Sequence, residues 1–106
     1  MDSVVIGGTE YALGYNLRVR MIYEKIMGKP VGESMMTFEN VVFFYSVLVA
    51  FNKGFAYDLE SFTDALVADE GVYARLVEWI YDYNRRRADM DGPADGGGEP
   101  VDKKKR

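Results

Sequence analysis

The hydrophobic pattern of the chain turns on one block, Val41 to Phe51 (VVFFYSVLVAF), in which Ser46 is the only polar residue. A bilayer core needs roughly 20 consecutive apolar residues, and Asn40 and Asn52 close this run on both sides. The block therefore predicts a helix buried on nearly every face, not a membrane span. Thr37 is its expected N-cap and Gly54 its stop. That makes about 16 helical residues, on the order of 24 Å.

The flanking segments carry shorter periods. Ser3 to Ile6 and Thr9 to Leu13 are β-type runs separated by Gly7-Gly8, the signature of a hairpin with a primed turn. A phosphate-binding loop would need further glycines and a Lys-Ser/Thr ending at fixed spacing, and none follow. Asn16 reads as an N-cap for a helix over Leu17 to Met27, with Val19, Ile22, Tyr23 and Ile26 as its apolar stripe. Gly28 and Pro30 stop it, and Lys29 to Met36 forms a loop. Asp58 caps a short helix carrying Leu59, Phe62, Ala65 and Leu66 and ending near Asp69. A last helix runs from Glu70 to Arg87, its core stripe formed by Val72, Leu76, Trp79, Ile80 and Tyr83. Residues 88–106 hold two of the three prolines and no aromatic residue, a composition that predicts a disordered charged tail. The expected fold is mainly α with a short N-terminal β-hairpin, a compact bundle of about four helices over residues 1–87.

Composition then narrows the chemistry. At 106 residues there is room for one domain. Residues 1–87 hold 9 basic and 12 acidic side chains, and the remainder 4 and 5, giving a net charge of −4. An acidic body disfavours nucleic acid as the main partner, since phosphate binding relies on clustered Lys and Arg. No cysteine is present, which excludes a disulfide scaffold and fits a reducing compartment. No basic segment followed by an apolar run opens the chain, so a cytoplasmic protein is expected, with no membrane partner.

Candidate sites for catalysis or metal binding are few. There is no histidine, so a nucleophilic Ser or Thr would need a lysine base, and Lys25, Lys29 and Lys53 fall at helix ends or in loops. The acids Asp58, Glu60, Asp64, Asp69 and Glu70 crowd one region but lack the alternate spacing and central glycine of a calcium loop. They suit helix starts and solvated faces instead. Neither a metal nor a cofactor is expected, and the reading is a non-enzyme. In the last helix, Tyr73, Val77 and Tyr81 make a second apolar ridge at i+4 spacing. A helix on the outside of a small bundle does not need two apolar faces. The ridge is thus either a partner-binding surface, for which tyrosine is well suited, or a core ridge packed under the hairpin near Tyr11 and Tyr15.

The order of elements resembles the small tail assembly chaperones of long-tailed phages and prophages. Those proteins open with an element of the type I-x-G-x-E-Y-x-L, matched here by Ile6, Gly8, Glu10, Tyr11 and Leu13, and continue into a helical domain of this size. The likeness covers residues 3–87. It implies a cofactor-free virion morphogenesis protein, acting in the host cytoplasm if phage-encoded. Such a protein would hold the tape measure protein soluble, help recruit tail tube subunits, and self-associate. In several members a programmed frameshift near the end of the gene appends a second domain, for which the codons of Lys103 to Lys105 would suit an adenine run.

A second reading stays open. The pair of helices over Leu59 to Arg87, ending in Arg85, Arg86 and Arg87, superficially resembles a helix-turn-helix and would make the chain a small acidic regulatory or adaptor domain. Glu70, Glu78 and Asp82 on the would-be reading helix would repel phosphates.

Overall fold

The computed structural model describes residues 2–32 and 35–91. The element order is β1 (Ser3–Ile6), β2 (Thr9–Ala12), α1 (Leu17–Met27), α2 (Thr37–Phe51), α3 (Leu59–Ala68) and α4 (Glu70–Asp91). The fold is mainly helical with a two-stranded antiparallel hairpin at its N-terminal end. The chain divides into two units, Met1–Leu76 and Val77–Arg106.

In the first unit α2 is the central element, lying against α1, α3 and β2. No residue between Val41 and Phe51 is exposed, and Val42, Phe44, Val47 and Leu48 have lost all contact with solvent. The single polar residue of the run is satisfied locally: the Ser46 hydroxyl donates to the Val42 carbonyl at 2.8 Å. Burying a hydroxyl without such a partner would cost on the order of 1–3 kcal/mol. Rings extend this core in two directions. Phe43 meets Tyr15, Tyr23 and Phe44, and Tyr45 meets Phe55 and Phe62.

The hairpin pairs Ser3 with Ala12 and Ile6 with Thr9, and Gly7 and Gly8 take φ of 59° and 84°. Two successive positive φ angles are what a primed turn requires and what glycine supplies without steric cost. Val4 and Ile6 point inward and Val5 outward, the period-2 alternation of a strand with one buried face.

The ends of α1 follow the sequence reading. Asn16 accepts from the Val19 backbone N–H at 3.2 Å, and Gly28 closes the helix in the left-handed conformation. The stripe is narrower than expected: Val19 and Tyr23 are buried, while Ile26 is exposed. Both ends of α2 differ from expectation. Met36, not Thr37, occupies the cap position, because the Glu39 carboxylate folds back to accept from the Met36 N–H at 2.8 Å. At the other end the helix stops at Phe51, and Asn52, not Gly54, is the C-cap. Asn52 ends it because its side chain is committed to β2 and to the Leu48 carbonyl.

Asp58 caps α3 as expected, accepting from the Ser61 N–H at 2.8 Å. Helices α3 and α4 are separated by Asp69 alone. It closes α3 with its N–H on the Ala65 carbonyl and opens α4 by accepting from the Gly71 N–H. Val72 and Leu76 of α4 are buried.

In the second unit α4 continues through Asp91, four residues beyond the predicted end at Arg87. Ala88 to Asp91 contain no glycine or proline, and the first helix breakers in the sequence are Gly92 and Pro93. The start of the expected disordered tail is therefore helical, and its remainder, residues 92–106, lies outside the described residues. Trp79 is buried and Ile80 and Tyr83 half-buried.

Candidate protein-interaction surface

The ridge Tyr73, Val77 and Tyr81 does not form one uniform surface. An α-helix turns about 100° per residue, so each i+4 step carries a side chain on by about 40°. Two steps rotate the ridge by about 80°, and exposure follows. Tyr73 is half-buried, its ring edge-on to Phe44 at 6.0 Å and its hydroxyl accepting from the Asn40 side-chain amide at 3.4 Å. Val77 is half-buried, and Tyr81 is 73% exposed. Tyr73 thus packs on α2, a third arrangement beside the two weighed from sequence. Tyr81 alone of the three offers a large free apolar surface.

Other large apolar side chains also stand in solvent: Leu17 and Met21 on α1, Met36 and Phe38 at the start of α2, and Val67 on α3. Sequence reading passed over them because Leu17, Met21 and Val67 lie off the core stripes of their helices, Phe38 lies in the first turn ahead of the apolar block, and Met36 falls in the expected loop. An apolar residue at a position where the period calls for a polar one was the available signal.

The hairpin residues that match the tail-chaperone pattern each have a defined environment. Ile6 and Leu13 are buried, and Gly8 holds the turn. Glu10 accepts from the Ser3 hydroxyl at 2.6 Å. The Tyr11 ring stands edge-on to Phe55 at 5.1 Å.

One polar cluster was not legible in the sequence. The Lys29 ammonium forms an ion pair with the Glu39 carboxylate, which also receives the Met36 N–H. Glu39 is buried, and the ordinary range of its carboxyl is lowered, first by the Lys29 hydrogen bond and then by the Met36 N–H. Lys29 is correspondingly raised. Beside them the fully buried Tyr23 donates from its hydroxyl to the Met35 sulfur at 3.4 Å, and burial raises its phenol. These groups start α2 and hold the α1–α2 connection against Tyr23. With Glu39 paired and capping, the cluster presents no free base.

Among the described residues no group of three or more acids converges on a point that could hold a metal ion, and no helix is long and apolar enough to cross a membrane. Asp58 and Asp69 serve as caps. Near the end of α4, Asp82 pairs with both Arg85 and Arg86, and the Arg86 guanidinium sits 6.0 Å from the Tyr83 ring centroid. The acid thus draws two of the three consecutive arginines into local pairs.

Comparison with family models, with curated proteins and with solved structures yields no match.

Proposed function

We propose that this chain is a non-catalytic binding protein, a tail assembly chaperone that holds a long, apolar tape measure protein soluble and helps recruit tail tube subunits. The observation that carries the binding role is the distribution of exposed apolar side chains. Leu17, Met21, Phe38, Val67 and Tyr81 stand on four different helices. Such dispersed anchors favour many modest contacts along an extended partner, in which avidity replaces single-site affinity. The absence of histidine and cysteine from the sequence fits a binder better than an enzyme. The step from binder to tail chaperone rests on the sequence resemblance, whose hairpin pattern has a structural role at each matched position.

The adaptor reading is less well supported. A helix-turn-helix places a turn of 3–4 residues between its helices, whereas α3 and α4 are joined through Asp69 alone. The arginines at the end of α4 are partly taken by Asp82.

The test is co-expression with the tape measure protein that the proposal predicts to be encoded beside this chain. Recovery of that protein in the soluble fraction only when this chain is present, and its loss with Tyr81→Ala, would support the proposal. Equal solubility with and without this chain would overturn it. Retention on duplex DNA at low salt would favour the adaptor reading.

A further inference from the structure

The approach to α2 sets a sulfur against a buried phenol. Four of the six methionines, Met21, Met27, Met35 and Met36, lie on α1 or just ahead of α2. Of these, Met35 receives the Tyr23 hydroxyl on its sulfur at 3.4 Å. Tyr23 has no solvent exposure, and that sulfur is the only hydrogen-bond partner of its hydroxyl among the described residues. A thioether is a weak acceptor, yet without it the buried hydroxyl would stand unsatisfied. Met35 itself is only half-buried, which leaves it open to a small oxidant.

We infer that Met35 is an oxidation site whose conversion to the sulfoxide unlatches the start of α2. The oxidant is a hydroperoxide. A sulfur lone pair attacks its outer oxygen, and the S–O bond forms as the O–O bond breaks. The displaced oxygen takes the proton and leaves as water or an alcohol. Sulfur gives up two electrons and the peroxide gains them.

The contact distance sets the consequence. An O–H···O bond spans about 2.5–3.0 Å, so an oxygen added on sulfur toward Tyr23 has no room for one inside a 3.4 Å contact. Added on the side away from Tyr23, it leaves an electron-poor sulfur as the acceptor. In both cases the hydroxyl loses its partner, and the new polar oxygen draws Met35 toward water. Met35 is bonded to Met36, whose N–H is held by the Glu39 carboxylate at 2.8 Å, and Glu39 is held in turn by Lys29. Drawing Met35 outward therefore pulls on the cap of α2. The turn so loosened carries Phe38, 61% exposed. Methionine sulfoxide is reversible by dedicated reductases, which makes the contact a switch. The inference stands on the Tyr23–Met35 contact and does not require the partner proposed above.

The test treats the intact chain with hydrogen peroxide, reading sulfoxide at each methionine by peptide mass spectrometry and stability by the denaturant midpoint. The midpoint should fall in step with oxidation of Met35, and amide exchange in the first turn of α2 should speed up several-fold. Methionine sulfoxide reductase should restore both. Met36→Leu should keep the response and Met35→Leu should lack it. In Tyr23→Phe, where no hydroxyl needs an acceptor, oxidation of Met35 should shift the midpoint far less. An equal shift in Tyr23→Phe would overturn the inference, because the phenol would then play no part. So would an unchanged midpoint with Met35 fully oxidised, or one that follows oxidation of Met21, 60% exposed on α1. Met35 still unoxidised when Met21 is fully converted would overturn it as well.

Discussion

Asn52 and Ala12, forty positions apart, pair through the Asn52 carboxamide: its oxygen accepts from the Ala12 N–H at 2.8 Å and its nitrogen donates to the Ala12 carbonyl at 2.9 Å. The side chain does for β2 what a third strand would do. A two-stranded hairpin alone is marginal in water, and this pair ties its last residue to the end of α2. The same amide nitrogen also donates to the Leu48 carbonyl at 3.0 Å, so one residue ends the central helix and secures the sheet.

Asn52→Ala would leave both Ala12 backbone groups without partners in a half-buried position. The expected loss is about 2 kcal/mol, a drop in melting temperature on the order of 10 °C for a chain this short. Hydrogen exchange at Ala12 should speed up more than exchange in α1. Uniform acceleration across both elements would show that the pair stabilises the whole fold and not the hairpin specifically.

These contacts also mark where sequence reading stopped. The ends of α1 were legible because Asn16 and Gly28 act within one turn, on Val19 and Glu24. The ends of α2 were not, because Glu39 and Asn52 set them. Glu39 is held by Lys29, outside the helix, and Asn52 by Ala12, on the hairpin. Local residue preference sees Thr37 and Gly54; tertiary hydrogen bonds override it. The ridge Tyr73–Val77–Tyr81 was visible as a spacing, but the 40° drift per step that separates its members needs the core's position to interpret.

The pairing of Glu39 fixes a direction for acid sensitivity. Its carboxyl is held below its ordinary value of 4.5 by the Lys29 ammonium and the Met36 N–H. A depressed folded value means stability that is present above the ordinary range and lost as pH falls through the lowered one. Asp58, lowered by the Ser61 N–H and hydroxyl, acts in the same sense. Denaturant midpoints should therefore be level down to about pH 5 and fall below it. In Glu39→Gln the midpoint should be lower at neutral pH and the fall shallower. An unchanged acid limb in that variant would assign the sensitivity to other carboxylates. At the alkaline end, Tyr23 and Lys29 are both raised, so stability should be lost as pH climbs beyond about 10.

Space, not backbone angle, calls for glycine at position 14: a Cβ built on Gly14 would lie 2.6 Å from the Phe51 ring. Gly14→Ala should cost about 1–3 kcal/mol by overpacking. Phe51→Leu in the same chain should recover part of that loss, giving a coupling energy in a double-mutant cycle. Additive effects of the two changes would mean that the ring is not what excludes a side chain there.

The tyrosines of α4 should separate by the same logic of exposure. Tyr73→Ala removes an edge-on contact with Phe44 and the acceptor for the Asn40 amide, so a loss of about 1–3 kcal/mol in stability is expected. Tyr81, at 73% exposure, should change stability by no more than about 0.5 kcal/mol when truncated. Trp79→Ala, a buried side chain on the same helix, should cost about 3–5 kcal/mol, enough to unfold a domain of marginal stability. Partner binding is then read in Tyr81→Ala, where a loss of affinity cannot be charged to unfolding. If the proposed partner binding is found, a folded Tyr81→Ala protein that keeps all of it would move the binding surface off α4 and onto the exposed residues of α1, α2 and α3.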